Sequence, residues 1–255
     1  MSDRMRLDRY LAFLGCGTRS EVKDLLRAGR VSVDGAPERD GGRHVDAGAA
    51  RVALDGKLLC YKRHRHLMMN KPAGVLTAAE DARAQTVLDL LPPLYRACGC
   101  MPVGRLDKDT EGLLLLTSDG ALGHRIISPK RRVDKVYFAR VDGPLGEADV
   151  QAFAEGLQLS DFRAMPARLE IVSSAPQEAE ALCTVQEGKF HQVKRMFSSR
   201  GVHVVYLKRL SIGPVPLDPA LAPGGYRELT DAELEALIAC TTPSIPTDAQ
   251  GGSHA

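Results

Sequence analysis

Long apolar runs are missing from this chain of 255 residues: Leu113–Leu116 is typical, and nothing approaches the roughly 20 residues that a membrane helix needs. The first residues, Met1-Ser2-Asp3-Arg4, also lack the apolar core of a secretion signal, so a cytoplasmic protein is expected. The six cysteines have no pairing pattern. Cys98 and Cys100 form a lone C-x-C, while Cys16, Cys60, Cys183 and Cys240 are scattered without histidine spacing. Structural zinc and a disulfide framework are therefore not expected, and no metal is assigned. There is no internal repeat. Overall charge is small as well, only +2, but it is unevenly spread: residues 1–66 hold 14 Lys and Arg against 9 Asp and Glu, and the remainder 20 against 23. The basic end is the one expected to meet phosphate.

The length suits one full-sized domain plus a small one. Residues 4–50 read as the small unit, 51–66 as a connector, 67–240 as the large domain and 241–255 as a disordered tail rich in Pro, Ser, Thr and Gly. In the small unit Leu7, Tyr10, Leu11 and Leu14 recur at helical spacing before Gly15. A capping-box pair, Thr18 and Glu21, then opens a second helix with Val22, Leu25 and Leu26 on one face. Val31–Val33 alternates like a strand and ends in the turn Asp34-Gly35. Arg19, Lys23, Arg27 and Arg30 lie near one another on this unit, with Lys23 and Arg27 one turn apart. On an isolated helix such residues are a solvated face. In the large domain strand-like runs (67–69, 136–141, 169–172, 202–207) alternate with helical stretches at 147–157, 191–199 and 232–238. That mixture predicts an α/β or α+β domain.

Charge is concentrated between glycines at Gly104-Arg105-Leu106-Asp107-Lys108-Asp109-Thr110-Glu111-Gly112, just before the leucine run. A carboxylate beside such a core requires a partner, and Arg105 is the nearest candidate. A structural ion pair on a turn therefore explains an isolated Arg-x-Asp. A calcium loop does not fit. The fifth ligand position is Glu111, the twelfth is Ser118, and leucines occupy the stretch between.

The full string Gly-Arg-Leu-Asp-x-x-Thr-x-Gly-Leu-Leu-Leu-Leu-Thr-x-Asp-Gly resembles the catalytic motif of the RsuA, RluA and related pseudouridine synthase families. Further matching segments are Met69-Asn70-Lys71-Pro72-Ala73-Gly74, Lys135-Val136-Tyr137, the run from Glu187 to Met196, and Ala222-Pro223-Gly224-Gly225-Tyr226-Arg227. The resemblance to the RsuA branch covers nearly the whole chain, and residues 6–45 resemble the S4 RNA-binding module. Two positions depart from the pattern: Val136 stands where Thr is common, and Ser118 where Asn or Asp is common.

This resemblance implies a small S4-like helical module before a catalytic domain built on a mixed, largely antiparallel sheet with flanking helices. It implies isomerisation of a uridine in ribosomal RNA without cofactor or metal. Asp107 becomes the nucleophile, Tyr137 the ring that stacks on the uracil, Lys194 the cation paired with Asp107, and Arg105 an RNA or base-flipping contact. Expected RNA contacts are Arg19, Lys23, Arg27, Arg30, Asn70, Lys71, Lys130, Arg131, Arg132, His191, Gln192 and Arg195. Ile127-Ser128-Pro129, His191–Met196 and Ala222-Pro223-Gly224 lean towards 16S rRNA, or a small-subunit assembly intermediate, as partner of a monomer. The alternatives are a 23S enzyme of the RluB, RluE and RluF branch and a non-catalytic S4-type ribosome-binding protein.

Overall fold

The computed structural model describes residues 3–242. Two short helices, α1 (Leu7–Phe13) and α2 (Arg19–Arg27), open the chain after strand β1 (Arg4–Arg6). The Thr18–Glu21 capping box forms as the spacing predicts: Thr18 N–H donates to Glu21 Oε2 at 2.7 Å, and Glu21 N–H donates to Thr18 Oγ1 at 3.4 Å. The unit has more strand than the helical module expected. β2 (Val31–Val33), β3 (Ala36–Pro37), β5 (Val52–Leu54) and β6 (Lys57–Leu58) form a four-stranded sheet, and β4 (His44–Asp46) pairs with β1. Residues 52–58, expected in the connector, therefore extend this sheet, because Val52 is buried with Leu7, Tyr10, Leu11, Val22 and Leu26. Tyr61 continues the same packing by stacking on Tyr10 at 5.7 Å.

The large domain is a nine-stranded sheet. Its strands are β7 (His66–Lys71), β8 (Met101–Pro102), β9 (Glu111–Thr117), β10 (Lys135–Val141), β11 (Arg168–Ala175), β12 (Glu178–Val185), β13 (Val204–Ile212), β14 (Val215–Pro216) and β15 (Tyr226–Glu228). The order is β11-β12-β10-β13-β9-β7-β15, with β8 on β9 and β14 on β13. Every pairing is antiparallel except β13 with β9.

The leucine run explains why the middle of this sheet is covered on both faces. Side chains alternate along a strand. Leu114 and Leu116 join one core with α5 (Glu147–Glu155) and α6 (Gln192–Ser198). Leu113 and Leu115 join another with α4 (Gly120–Ile127) and α7 (Asp231–Thr241). A remaining short helix, α3 (Pro93–Ala97), meets the N-terminal unit, where Cys98 Sγ lies 3.0 Å from the Phe13 carbonyl. Helix α7 runs to Thr241, which is fully buried, so the first residue of the expected tail belongs to the fold. The rest of that tail, from 243 onward, lies outside the described residues.

Gly112 fixes the one parallel seam. It sits opposite Arg209 with φ +99°, and a Cβ there would stand 2.3 Å from the Arg209 carbonyl oxygen. Only glycine permits this approach, which brings the loop before β9 against β13.

Candidate active site

The loop from Gly104 to Glu111 is held from below by the last residue of β7 and the segment that follows it. Lys71 is fully buried, and its ammonium donates to the carbonyls of Pro72 at 2.9 Å, Lys108 at 3.2 Å and Thr110 at 2.9 Å. Gly74 N–H adds a bond to the Lys108 carbonyl at 2.7 Å, and Thr77 Oγ1 donates to the Leu106 carbonyl at 2.8 Å. Burial pushes the Lys71 ammonium down to about 8, against the pull of Asp109, Asp107 and Glu111. Lys71 is thus internal to the protein, which corrects its expected place among the RNA contacts. Asn70 is corrected for the same reason: it is buried, and its Nδ2 donates to the Leu221 carbonyl at 2.8 Å.

This support presents Asp107 on the wall of an open cleft shared with Arg105, Thr110, Tyr137, Lys189, His191, Lys194 and Leu207. Lys194 Nζ and His191 Nε2 each lie 3.6 Å from an Asp107 carboxylate oxygen. Lys194 makes its short contacts elsewhere, to Asp109 at 2.6 and 2.7 Å. That bond holds the Asp109 carboxyl below the usual carboxylate range. Asp107 is therefore beside a cation without being hydrogen-bonded to it, and its oxygens are open to the cleft. Arg105, the first candidate partner, is exposed and makes no ion pair among the described residues.

His191 adopts a left-handed backbone (φ +49°), and its ring stacks on Phe190 at 3.8 Å. Phe190 itself is 71% exposed. Gln192, one residue further, turns inward and donates to Glu187 Oε1 at 2.8 Å; it is 4% exposed, against its expected place among the RNA contacts. Arg195 is half-buried, ion-paired with Asp161, bonded to Ser160 Oγ at 3.0 Å and placed over the Phe162 ring. Tyr137 lines the cleft, with its hydroxyl 3.2 Å from Arg209 Nη1. Arg209 escaped the reading of the sequence because a lone Arg in a strand carries no motif.

The basic residues sort into two groups. Lys130 and Arg132 are exposed and Arg131 partly so, on a turn just beyond α4, whose Ile127 side chain abuts Gly104 of the active loop. On the N-terminal unit Arg19 and Lys23 line a groove of about 730 Å³ with Arg9, Phe13, Ala97 and the ion pair Arg6–Asp8, at 2.6 Å. Arg6 and Arg9 had not been singled out. Their signal was available: Arg9 lies off the Leu7, Tyr10 and Leu11 face of α1. Arg27 pairs with Asp24 at 3.3 Å and Arg30 with Asp55 at 2.8 Å, and neither lines that groove. Among the described residues no group of three or more His, Cys, Asp or Glu is placed to hold a metal ion. No helix among them is long and apolar enough to cross a membrane.

A two-faced mixed sheet thus presents a loop carboxylate beside a lysine and a tyrosine, next to a basic N-terminal unit. The chain belongs to the RNA pseudouridylate synthase family, whose pattern matches residues 65–199, and an S4 domain matches residues 5–50. It is 48% identical over 234 residues to an uncharacterized RNA pseudouridine synthase of Bacillus subtilis, covering 91% of this chain and 98% of that one. It is 39% identical over 235 residues to the ribosomal small subunit pseudouridine synthase A of Vibrio cholerae, covering 91% and 99%. A solved pseudouridylate synthase structure superposes with a TM-score of 0.63 at 35% identity, covering 91% and 99%. The protein is accordingly a pseudouridine synthase, an isomerase with an RNA-binding S4 domain.

Proposed function

We propose that this enzyme converts one uridine of 16S ribosomal RNA to pseudouridine, with Asp107 as its nucleophile, acting as a cytoplasmic monomer on the RNA or on a small-subunit assembly intermediate. The observation that carries this reading is the Asp107 carboxylate, open to the cleft and flanked at 3.6 Å by Lys194 and His191. Its substrate assignment rests on relatives such as those of Vibrio cholerae and Escherichia coli, both named ribosomal small subunit pseudouridine synthase A.

The chemistry follows from the residues. A carboxylate oxygen of Asp107 forms a bond to the target nucleotide, the C1′–N1 bond breaks, the base turns, C5 joins C1′, the C5 proton leaves to solvent and N1 takes up a proton from solvent. Asp107 is then released unchanged, so atoms balance without a donor. Lys194 offsets the carboxylate's charge. The Tyr137 ring holds the detached base by its face, which leaves its edges free to rotate. Arg105, exposed beside Asp107, occupies the gap left by the flipped nucleotide, a distortion that costs a few kcal/mol. Arg9, Arg19, Lys23 and Lys130–Arg132 bind the backbone and offset that cost. Tritium release from RNA labelled at uridine C5 tests the reading: purified enzyme should release it from 16S and not from 23S rRNA. Release from 23S alone reassigns the substrate, and release from neither removes the activity.

A further inference from the structure

Behind Tyr137 stands a charge that the reaction so far leaves unused. Arg209, on β13, faces Tyr137 across the β10–β13 pairing. It is 3% exposed; its Nε donates to the Leu113 carbonyl at 2.7 Å and its Nη1 lies 3.2 Å from the Tyr137 oxygen. Its Nη2 is buried without a partner, and no carboxylate pairs with it among the described residues. A second buried cation, Lys135, lies near enough that Arg209 helps burial push its ammonium down to about 8. Holding the Leu113 carbonyl needs only a neutral donor, so backbone support alone does not explain a desolvated, unpaired guanidinium.

The chemistry of the pair has a direction. A guanidinium has donors only, so the Tyr137 oxygen accepts from it and the phenolic proton is excluded from that side. We propose that Arg209 is a positioning residue for the isomerisation: it locks the Tyr137 hydroxyl as an acceptor on its buried side and presents the phenolic proton to an oxygen of the nucleotide in the cleft. The buried positive charge also polarises that hydroxyl into a stronger donor. This role rests on the proposed function, in which Tyr137 is the ring against the target base.

The test is a double-mutant cycle of R209M and Y137F, followed by single-turnover isomerisation of 16S rRNA isolated from cells lacking the gene. Each single variant should slow the step by about tenfold to a hundredfold, as loss of one preorganised donor does, with the affinity for that RNA unchanged. R209K should recover part of the loss. In the Y137F background R209M should then change nothing further, because its target is gone. Losses that multiply, or a loss confined to RNA affinity, overturn the role. If R209M fails to fold, R209K carries the same cycle, and the Tyr137 ¹³Cζ resonance of the free protein reports the contact. That resonance should shift in R209K; an unmoved one overturns the proposal. Wild type inactive on both rRNAs overturns the underlying function instead, and is distinguishable from a multiplicative cycle.

Discussion

Lys194 stands 3.6 Å from Asp107 but 2.6 Å from Asp109, so the cation of the site is anchored by the carboxylate that does not line the cleft. The arrangement separates two tasks. Asp109 fixes the ammonium in place, and Asp107 keeps both oxygens free while lying in its field. Removing the ammonium with K194M should slow isomerisation by about 10²-fold, the usual scale for one preorganised charge. D109N, which loosens the anchor only, should slow it less than about tenfold by the same reasoning. Single-turnover rates on 16S rRNA compare the two, and a larger loss in D109N would reverse the assignment.

Much of this site was legible in the sequence because the motif is contiguous: Asp107, Arg105 and Lys194 do meet at one cleft, with Tyr137 on its wall. The Thr18 capping box and helices α5, α6 and α7 were legible for the same local reason. What failed was the inference from polarity to exposure. Lys71, Asn70 and Gln192 are polar yet buried, because each satisfies loop or helix groups inside the protein. Arg209 is likewise a tertiary feature, defined by a cross-strand register that no local pattern announces. Of the early strands only Val31–Val33 was legible, through its alternation before the Asp34-Gly35 turn; the others, of two or three residues, have too little periodicity to read.

Lys71 gives the enzyme a pH dependence of two opposite signs. Its ammonium titrates at about 8 in the folded protein, against 10.5 ordinarily. As pH rises through 8 the folded protein loses this proton, and an amine has two N–H groups for three carbonyls, so the active loop loosens and the rate should fall. Stability moves the other way. Between about pH 8 and the ordinary lysine value of about 10.4 the unfolded chain binds the proton that the folded one has lost, so this group's contribution to stability rises with pH. Denaturant titrations at pH 7 and 9.5 should show wild type gaining on K71M at the higher pH. A difference between them that is constant with pH would contradict the shift.

Gly112→Ala should be among the most damaging single changes. Its Cβ meets backbone at 2.3 Å, where no side chain can give way, and its φ of +99° is strained for alanine. A loss of about 3 kcal/mol or more is expected in unfolding free energy, on the scale of severe steric mutants. A wild-type melting temperature for G112A would mean that β9 and β13 do not meet as described.

RNA affinity should distinguish the two basic groups on the N-terminal unit. Arg19 and Lys23 line the groove, whereas Arg27 and Arg30 are engaged with Asp24 and Asp55. R19A and K23A should each lower the slope of log affinity against log salt by about 0.9 on duplex-like RNA. R27A and R30A should leave that slope nearly unchanged. Filter binding to 16S rRNA over a potassium chloride series measures all four, and equal effects would place the RNA across the whole helix.

Asp107 is proposed as the nucleophile for one 16S uridine. Pseudouridine mapping by carbodiimide-dependent primer extension, across both ribosomal RNAs, tests it in cells lacking the gene and then complemented with wild type or D107N. Loss of the nucleophile should lower the reaction by about 10⁴-fold or more, so one 16S site should vanish on deletion and return with wild type alone. Equal restoration of that site by D107N would contradict the account.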